Sequence, residues 1–166
     1  HAVENFRSEL KGTLILPGDP GYDDARHLWN GMIDRYPAAI AQCTGADDVI
    51  QAIAFARDNS LPLTVKGGGH GVAGKAVCDG GLMIDCSPMN SIVINPVNLT
   101  ATAGGGVTWG QFDTATQEHG LATTGGVVAS TGIAGLTLGG GIGFLIRKHG
   151  MSCDNLIGAE VVTAGG

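Results

Sequence analysis

Two glycine-rich segments constrain the fold of this chain more than any other feature of its sequence. The chain has 166 residues and 29 of them are Gly, about 17% against an average near 7%. The glycines concentrate in residues 67–74 and 125–143 without a G-X-Y period, which excludes a collagen-like fold. Because consecutive glycines lose much conformational entropy on ordering, each segment is predicted to be a loop whose backbone binds a ligand. The alternative for the first segment is a mobile loop without a ligand.

The composition predicts a folded chain that binds neither nucleic acid nor a membrane. Hydrophobic residues make up 43% and the mean hydropathy is +0.19, enough for one domain, or one and an incomplete second. The formal net charge of -6 gives no cationic surface for a phosphate backbone, and no run of about 18 apolar residues could span a bilayer. Four separated cysteines without C-x-x-C, and no signal-like stretch, lead us to expect a cytoplasmic protein with inert thiols.

The first half of the chain predicts a unit of two strands joined by a helix. A short strand is expected over residues 12–16 and a short helix over 22–29. A strand at 38–43, a helix at about 45–59 with apolar residues at helical spacing, and a strand at 61–66 then follow in order. This order is that of a βαβ unit, so we expect an α/β or α+β fold.

The second half predicts antiparallel strands, one helix and a long loop. The apolar runs 81–86, 91–95 and 99–103 have no room for helices between them and are expected to pair as an antiparallel set. Residues 108–119 begin with a capping box and predict a helix, with Trp109 and Phe112 packing it onto the sheet. Residues 125–143 are expected to be loop, 144–149 a helical turn and 157–163 a last strand.

The first glycine segment has the chemistry of an anion cradle. Residues 66–75, KGGGHGVAGK, directly follow a predicted strand, and their amides could form a nest for a pyrophosphate. The match to G-x-G-x-x-G lacks the following helix, and the match to a P-loop has Ala76 where Ser or Thr would hold magnesium. The second segment has small side chains throughout, against which a flat ligand can lie. The two together favour a large dinucleotide with an aromatic ring system.

Four separated sequence motifs resemble those of one protein family. Residues 66–70 (KGGGH), 104–110 (GGGVTWG), 132–143 and 147–150 (RKHG) are similar to the FAD-binding domain of the vanillyl-alcohol oxidase superfamily, specifically berberine-bridge-enzyme-like oxidases. The resemblance extends from about Leu10 to the end of the chain with matching spacings. It implies an α+β fold of the PCMH type, with a small βαβ subdomain and a larger mixed or antiparallel subdomain with flanking helices.

The resemblance also implies a division of the chain. Residues 1–9 are expected to be a flexible N-terminal segment, residues 10–86 the first FAD-binding subdomain, and residues 87–166 an incomplete second subdomain. A C-terminal substrate domain is expected to be absent, so we expect the 166 residues alone to be inactive. No catalytic residue is assigned, since His27, His119 and His149 lack a catalytic partner at a suitable spacing. No metal site is expected.

The residues that would hold FAD follow from the same resemblance. It implies a covalent bond from His70 to the flavin, without the second bond that many relatives make from a Cys, because Val128 stands at that position. In the first segment it assigns FAD contacts to Lys66, Gly67, Gly68, Gly69, His70, Gly71 and Val72. Further along it assigns them to Gly126, Val127, Val128, Ser130, Thr131, Gly132, Gly135, Leu136, Gly139, Gly140, Gly143 and Val162.

The function implied is that of a flavin-dependent oxidase. Relatives of this kind oxidise alcohols, sugars or natural products by hydride transfer to FAD, usually with dioxygen as the acceptor. The partners expected are FAD and a small-molecule substrate bound by the missing C-terminal domain. Two alternatives stay open from the sequence: a noncovalent FAD-dependent reductase domain of related fold, and a module that binds another phosphate ligand.

Overall fold

A computed structural model describes residues 2–166 as an α+β protein with two sheets. The strands are β1 (Thr13–Ile15), β2 (Ala39–Gln42), β3 (Leu63–Lys66), β4 (Leu82–Asp85), β5 (Ile92–Asn95) and β6 (Thr100–Ala103). The helices are α1 (Ala2–Glu9), α2 (Tyr22–Arg26), α3 (Ala46–Asp58), α4 (Trp109–Gln117), α5 (Ile133–Leu138) and α6 (Ile146–His149), followed by a 3-10 turn at Cys153–Asn155. No helix among these residues is long and apolar enough to cross a membrane.

The first sheet has four strands in the order β1-β2-β4-β3. Strands β2, β4 and β3 are parallel, while β1 runs antiparallel to β2. The predicted strand-helix-strand unit β2-α3-β3 is present, with β4 inserted between its two strands. The expectation that residues 81–86 join an antiparallel set was wrong. All four residues of β4 are buried, the pattern of a central parallel strand covered on both faces.

Alternate residues of these strands build a core on each face of the sheet. Ala41 and Ile84 face the side covered by α1 and α3, whereas Ile40 and Met83 face the side covered by α2. All four are fully buried. Because side chains alternate along a strand, a shift of register by one residue would exchange the two cores, so the burial on both faces fixes the pairing.

The segment that the sequence predicts to be flexible is helical over residues 2–9. Residues 2–9 form α1, and the Phe6 ring is 2% exposed and stacks on Phe55 of α3 with centroids 4.2 Å apart. Phe55 is half-buried, and a stacked pair of aromatic rings contributes stability beyond the area that it removes from water. Val3, Phe6 and Leu10 recur at helical spacing, a pattern that could have predicted this helix.

The start of α3 is held by a buried carboxylate. Asp48 is 1% exposed and accepts hydrogen bonds from the Lys11 N–H at 2.8 Å, the Thr44 N–H at 2.8 Å and the Thr44 hydroxyl at 2.7 Å. Burial raises the pKa of Asp48, but the hydrogen bonds from Thr44, Lys11 and Gly12 lower it more, and the net shift is downward. Asp48 therefore joins the first strand region to the helix only while it is ionised.

We expect Asp48 to make the fold acid-sensitive. Since its pKa is lower in the folded than in the unfolded chain, its contribution is complete above the unfolded value of about 3.9 and is lost as the pH falls through the folded value. The variant Asp48→Asn is expected to lose about 1–3 kcal/mol at pH 7 and to lose less further stability on acidification. Urea unfolding between pH 7 and 3 measures both effects. The matched control is Asp47→Asn, which alters only an exposed ion pair with Lys11; equal losses in the two variants would contradict the prediction.

The second sheet is smaller than expected. It consists of the antiparallel pair β5 and β6, with Ile92 opposite Ala103, so residues 91–95 and 99–103 pair as predicted. The predicted capping box is present at the start of α4, where the Gln111 side chain reciprocates the Thr108 cap. The Trp109 ring lies edge-on to Phe112, with centroids 5.6 Å apart.

Two predictions for the last third of the chain were wrong. Residues 125–143 are not all loop, because the run IAGLTL, with a single Gly, forms α5 after Gly132. Residues 157–163 form no strand; Ile157 and Val161 are 86% and 72% exposed, and no other strand among residues 2–166 pairs with them. Apolar β-branched residues favour a strand only where a partner covers them.

The four cysteines are free thiols. Cys43 and Cys86 are buried, and burial raises the pKa of the Cys86 thiol to about 11 and that of Cys43 to about 12. Both therefore stay protonated at neutral pH and are poor nucleophiles.

Candidate functional site

The two glycine-rich segments meet with their backbones in contact. A Cβ atom built on Gly68 would lie 2.2 Å from the Gly132 backbone N, and one built on Gly132 would lie 2.4 Å from the Gly68 N. Neither position has room for a side chain, and the obstacle in each case is rigid backbone. This contact, which we call the glycine crossing, brings together the two segments that the sequence predicts to bind one large dinucleotide.

His70 lies beside the glycine crossing and contacts the second segment through both ring nitrogens. Its Nε2 is 2.9 Å from the Ser130 hydroxyl, and its Nδ1 is 3.4 Å from the Thr131 hydroxyl. A hydroxyl can donate or accept, so the pair can hold either neutral tautomer of the imidazole. The predicted site residues His70, Ser130, Thr131 and Gly132 are thus brought to one place.

The loop that carries His70 presents unpaired amides. Within residues 2–166, no backbone or side-chain group accepts a hydrogen bond from the N–H groups of residues 67–73. Six of these seven residues are Gly, His or Ala with partly or fully exposed backbone, so the amides are open to a ligand. Consecutive free N–H groups in a glycine loop form the concave donor arrangement that binds phosphate oxygens.

Lys66, the last residue of β3, anchors the start of this loop. Its ammonium donates to the Ala25 carbonyl at 2.5 Å and lies 3.6 Å from the Asp85 carboxylate. Asp85, 1% exposed, also accepts hydrogen bonds from the Ser87 N–H and the Gln42 amide. The Lys66 ammonium, at the end of β3, is thus held by groups of α2 and of the end of β4, and it fixes the start of the loop.

The glycines of the second segment permit close packing around Trp109. A Cβ on Gly125 would lie 2.4 Å from the Trp109 ring, and one on Gly126 would meet Leu136 at 2.7 Å. Gly143 packs on the Gly125 carbonyl, 1.7 Å from the position of its absent Cβ. The Trp109 ring is 3% exposed, and its Nε1–H has no hydrogen-bond partner within residues 2–166. A buried donor of this kind beside glycine backbone fits a site that a polar ligand completes.

The other predicted contacts are less directly connected to His70. Val127 and Val128 lie on the exposed turn before Ser130 and are 60% and 46% exposed. Gly135 lies within α5, and Gly139 and Gly140 follow its end. Val162 is half-buried in the extended C-terminal segment, and no hydrogen bond joins it to either glycine segment in the part of the chain that the structure describes.

Sequence reasoning missed Trp29. Its indole ring stacks on the His70 imidazole, with centroids 5.3 Å apart and an interplanar angle of 20°. We expected residues 22–29 to be one helix, but α2 ends at Arg26 and leaves Trp29 in an irregular stretch. The contact spans about 40 positions, and no local pattern predicts it; a Trp next to Asn-Gly was the only available signal.

An α+β fold with a loop of free main-chain amides has the chemistry of domains that bind an anionic cofactor through the backbone. More specifically, the chain belongs to the FAD binding domain family, whose model matches residues 37–166. This is the family within the vanillyl-alcohol oxidase superfamily that the sequence motifs indicated, so that prediction is confirmed.

Individual relatives are similar over nearly the whole chain. The (R)-6-hydroxynicotine oxidase of Paenarthrobacter nicotinovorans is 40% identical over 157 residues, which are 95% of this chain and 34% of that protein. The FAD-linked oxidoreductase YgaK of Bacillus subtilis is 35% identical over 158 residues, 95% of this chain and 35% of the relative. The chain therefore spans about a third of the length of these relatives.

Solved structures agree with the fold. The crystal structure of 6-hydroxy-D-nicotine oxidase from Arthrobacter nicotinovorans has a TM-score of 0.92 at 40% identity, over 94% of this chain and 34% of that one. The berberine-bridge-enzyme-like protein 1 of Physcomitrella patens has a TM-score of 0.86 at 28% identity, over 92% of this chain and 34% of that one. The predicted α+β fold of an FAD-binding domain is confirmed.

Proposed function

We propose that this chain forms the FAD-binding portion of a flavin-dependent oxidase in which His70 is bonded covalently to the flavin. The observation that carries the proposal is the placement of His70: its imidazole lies at the glycine crossing, with Ser130 and Thr131 at its two nitrogens. The family supports FAD as the ligand. The anchoring residue and the contacts of individual residues are our inference.

The residues of this chain fit the parts of FAD. The free amides of residues 67–73 suit the pyrophosphate, and the small residues around Gly126 and Gly132 let a flat ring lie close to the backbone. When bound, FAD supplies the acceptor for the two electrons of a hydride. Gly135, Leu136, Gly139, Gly140, Gly143 and Val162 complete the proposed set of contacts from the second subdomain.

The side chains around His70 prepare it for one covalent bond. Ser130 and Thr131 hold the tautomer and orientation of the imidazole, while Lys66 fixes the start of its loop through Ala25 and Asp85. Val128 offers no thiol, and residues 125–143 contain no Cys. We therefore propose a single attachment. The covalent bond prevents the flavin from dissociating and makes it a stronger oxidant.

The residues of this chain are not proposed to bind the substrate or to supply the catalytic base. We propose an alcohol, a sugar or a natural product as the substrate and dioxygen as the electron acceptor, since the relatives include oxidases whose names specify hydroxynicotine and a chitooligosaccharide. Oxidation of an alcohol sends a hydride from carbon to the acceptor and a proton from the hydroxyl to a base, which must lie within hydrogen-bond reach of the substrate. No residue here is assigned that role, so we propose that a further portion of the protein supplies it.

The attachment is tested by mapping the flavin in the full-length protein. After acid precipitation and proteolysis, we expect the flavin to remain with the peptide that contains His70 and mass analysis to place one adduct on that residue. An adduct on another residue, or a second adduct on a Cys, would refute the single bond to His70. Complete release of FAD by acid would favour a noncovalent reductase domain, and a colourless protein with bound phosphate ligand would favour the third alternative.

A further inference from the structure

Trp29 contacts the proposed attachment residue although it belongs to neither glycine segment. Its indole ring covers one face of the His70 imidazole, nearly parallel to it. The Trp29 side chain is nevertheless 64% exposed. Since so much of the ring stays in water, burial of apolar area gives a weak reason for a tryptophan at this position. The stack on His70 is its main specific interaction.

The backbone around Trp29 is tied to the His70 loop as well. The Trp29 N–H donates to the Gly69 carbonyl at 3.1 Å, and the Asn30 side-chain amide donates to the Val72 carbonyl at 2.9 Å. These two hydrogen bonds hold the loop backbone on either side of His70. Residues 28–33, which we call the clamp segment, therefore fix the position of the loop backbone. Trp29 within this segment also stacks on the imidazole.

Three side chains together restrict the His70 ring. Ser130 and Thr131 contact it in the plane of its nitrogens, and Trp29 covers a face. Hydrogen bonds at the nitrogens alone tolerate a tilt of the ring, whereas an aromatic surface against one face opposes it. The opposite face stays available to a ligand, in keeping with the half-exposed environment of His70, and a bond from either ring nitrogen requires the hydroxyl at that nitrogen to be displaced.

We propose that Trp29 is a positioning residue for flavin attachment, an inference that rests on the proposed bond from His70. In the net reaction, the imidazole N–H and one C–H of a flavin methyl group break and an N–C bond forms. Dioxygen takes up the two electrons and two protons and becomes hydrogen peroxide. Bond formation requires the ring nitrogen to be aligned with the methyl carbon, and Trp29 holds that alignment by preventing the tilt.

The test compares attachment rates in full-length apoprotein mixed with FAD under air. For Trp29→Ala we expect covalent attachment to slow about tenfold or more, while Trp29→Phe, which keeps an aromatic face, stays within about threefold of the wild type. The matched control is Met32→Ala, because Met32 is a 90% exposed apolar residue of the same clamp segment. Noncovalent FAD affinity and thermal midpoint are measured for each variant and are expected to change little.

Each other outcome is decisive. Attachment by Trp29→Ala at the wild-type rate would overturn the positioning role, as would a slower rate matched by an equal loss of FAD affinity or by Met32→Ala. If acid releases the flavin from the wild type, the proposed bond itself is wrong. The role of Trp29 is then judged by NMR relaxation of the His70 ring in the apoprotein, where unchanged ring mobility in Trp29→Ala would refute it.

Discussion

Replacing His70 with Ala is expected to remove all acid-stable flavin from the full-length protein. If the proposed single bond runs through His70, removing the imidazole removes the bond, and residues 125–143 contain no Cys that could replace it. The free amides of residues 67–73 are unaffected by the change, so noncovalent FAD binding should persist. Flavin fluorescence of the denatured protein on a gel measures the first effect and equilibrium dialysis the second.

The control for this experiment is another histidine. His149 is exposed at the end of α6, and we expect His149→Ala to keep a full complement of acid-stable flavin. A His70→Ala protein that still carries covalent flavin would refute the assignment. A protein that loses covalent flavin together with its cooperative unfolding transition would show that His70 is needed for folding, and the peptide map of the wild type then decides the question.

Substituting Gly132 with Ala is expected to damage both the fold and the cofactor site. The new Cβ would meet the Gly68 backbone N at 2.4 Å, and backbone cannot rotate away as a flexible side chain can. The two segments must separate, which we expect to cost about 3 kcal/mol or more, at the upper end of overpacking penalties. Because His70 lies two residues beyond Gly68, we also expect FAD affinity to fall about a hundredfold.

Denaturant unfolding and FAD titration of apoprotein measure these two losses. The matched control is Gly158→Ala, where no atom lies within 4 Å of the new Cβ. We expect Gly68→Ala to behave like Gly132→Ala, and the double variant to lose less stability than the sum, since one separation of the segments relieves both clashes. Gly132→Ala with the stability and FAD affinity of the Gly158→Ala control would contradict the glycine crossing.

The parts of the site that the sequence predicted are those with a local pattern. Consecutive glycines after a strand indicate a loop with free amides, and the structure has such amides at residues 67–73. The capping box at Thr108 and Gln111 likewise depends on residues three apart, and it formed as predicted. His70 was selected through family resemblance, since its own neighbours in sequence carry no chemical partner.

The features that could not be predicted depend on contacts between distant residues. His70 and Ser130 are 60 positions apart, and nothing in either segment encodes their contact. The insertion of β4 between β2 and β3 depends on how the whole sheet is covered, so residues 82–85 were placed in the wrong sheet. The position of α1 on α3 depends on the contact of Phe6 with Phe55. In each case a partner far along the chain decides the local structure.

The glycine crossing also determines when the cofactor site can form during protein synthesis. The two backbone segments that meet there are centred on Gly68 and Gly132. The first glycine segment therefore leaves the ribosome well before the second has been synthesised. Such long-range contacts form late, after the local helices and hairpins. A nascent chain that ends before Ser130 would carry His70 but neither Ser130 nor Thr131 beside it. If the flavin is bonded to His70 as proposed, its attachment comes after translation of both segments, and covalent flavin then reports that the two glycine segments have met correctly.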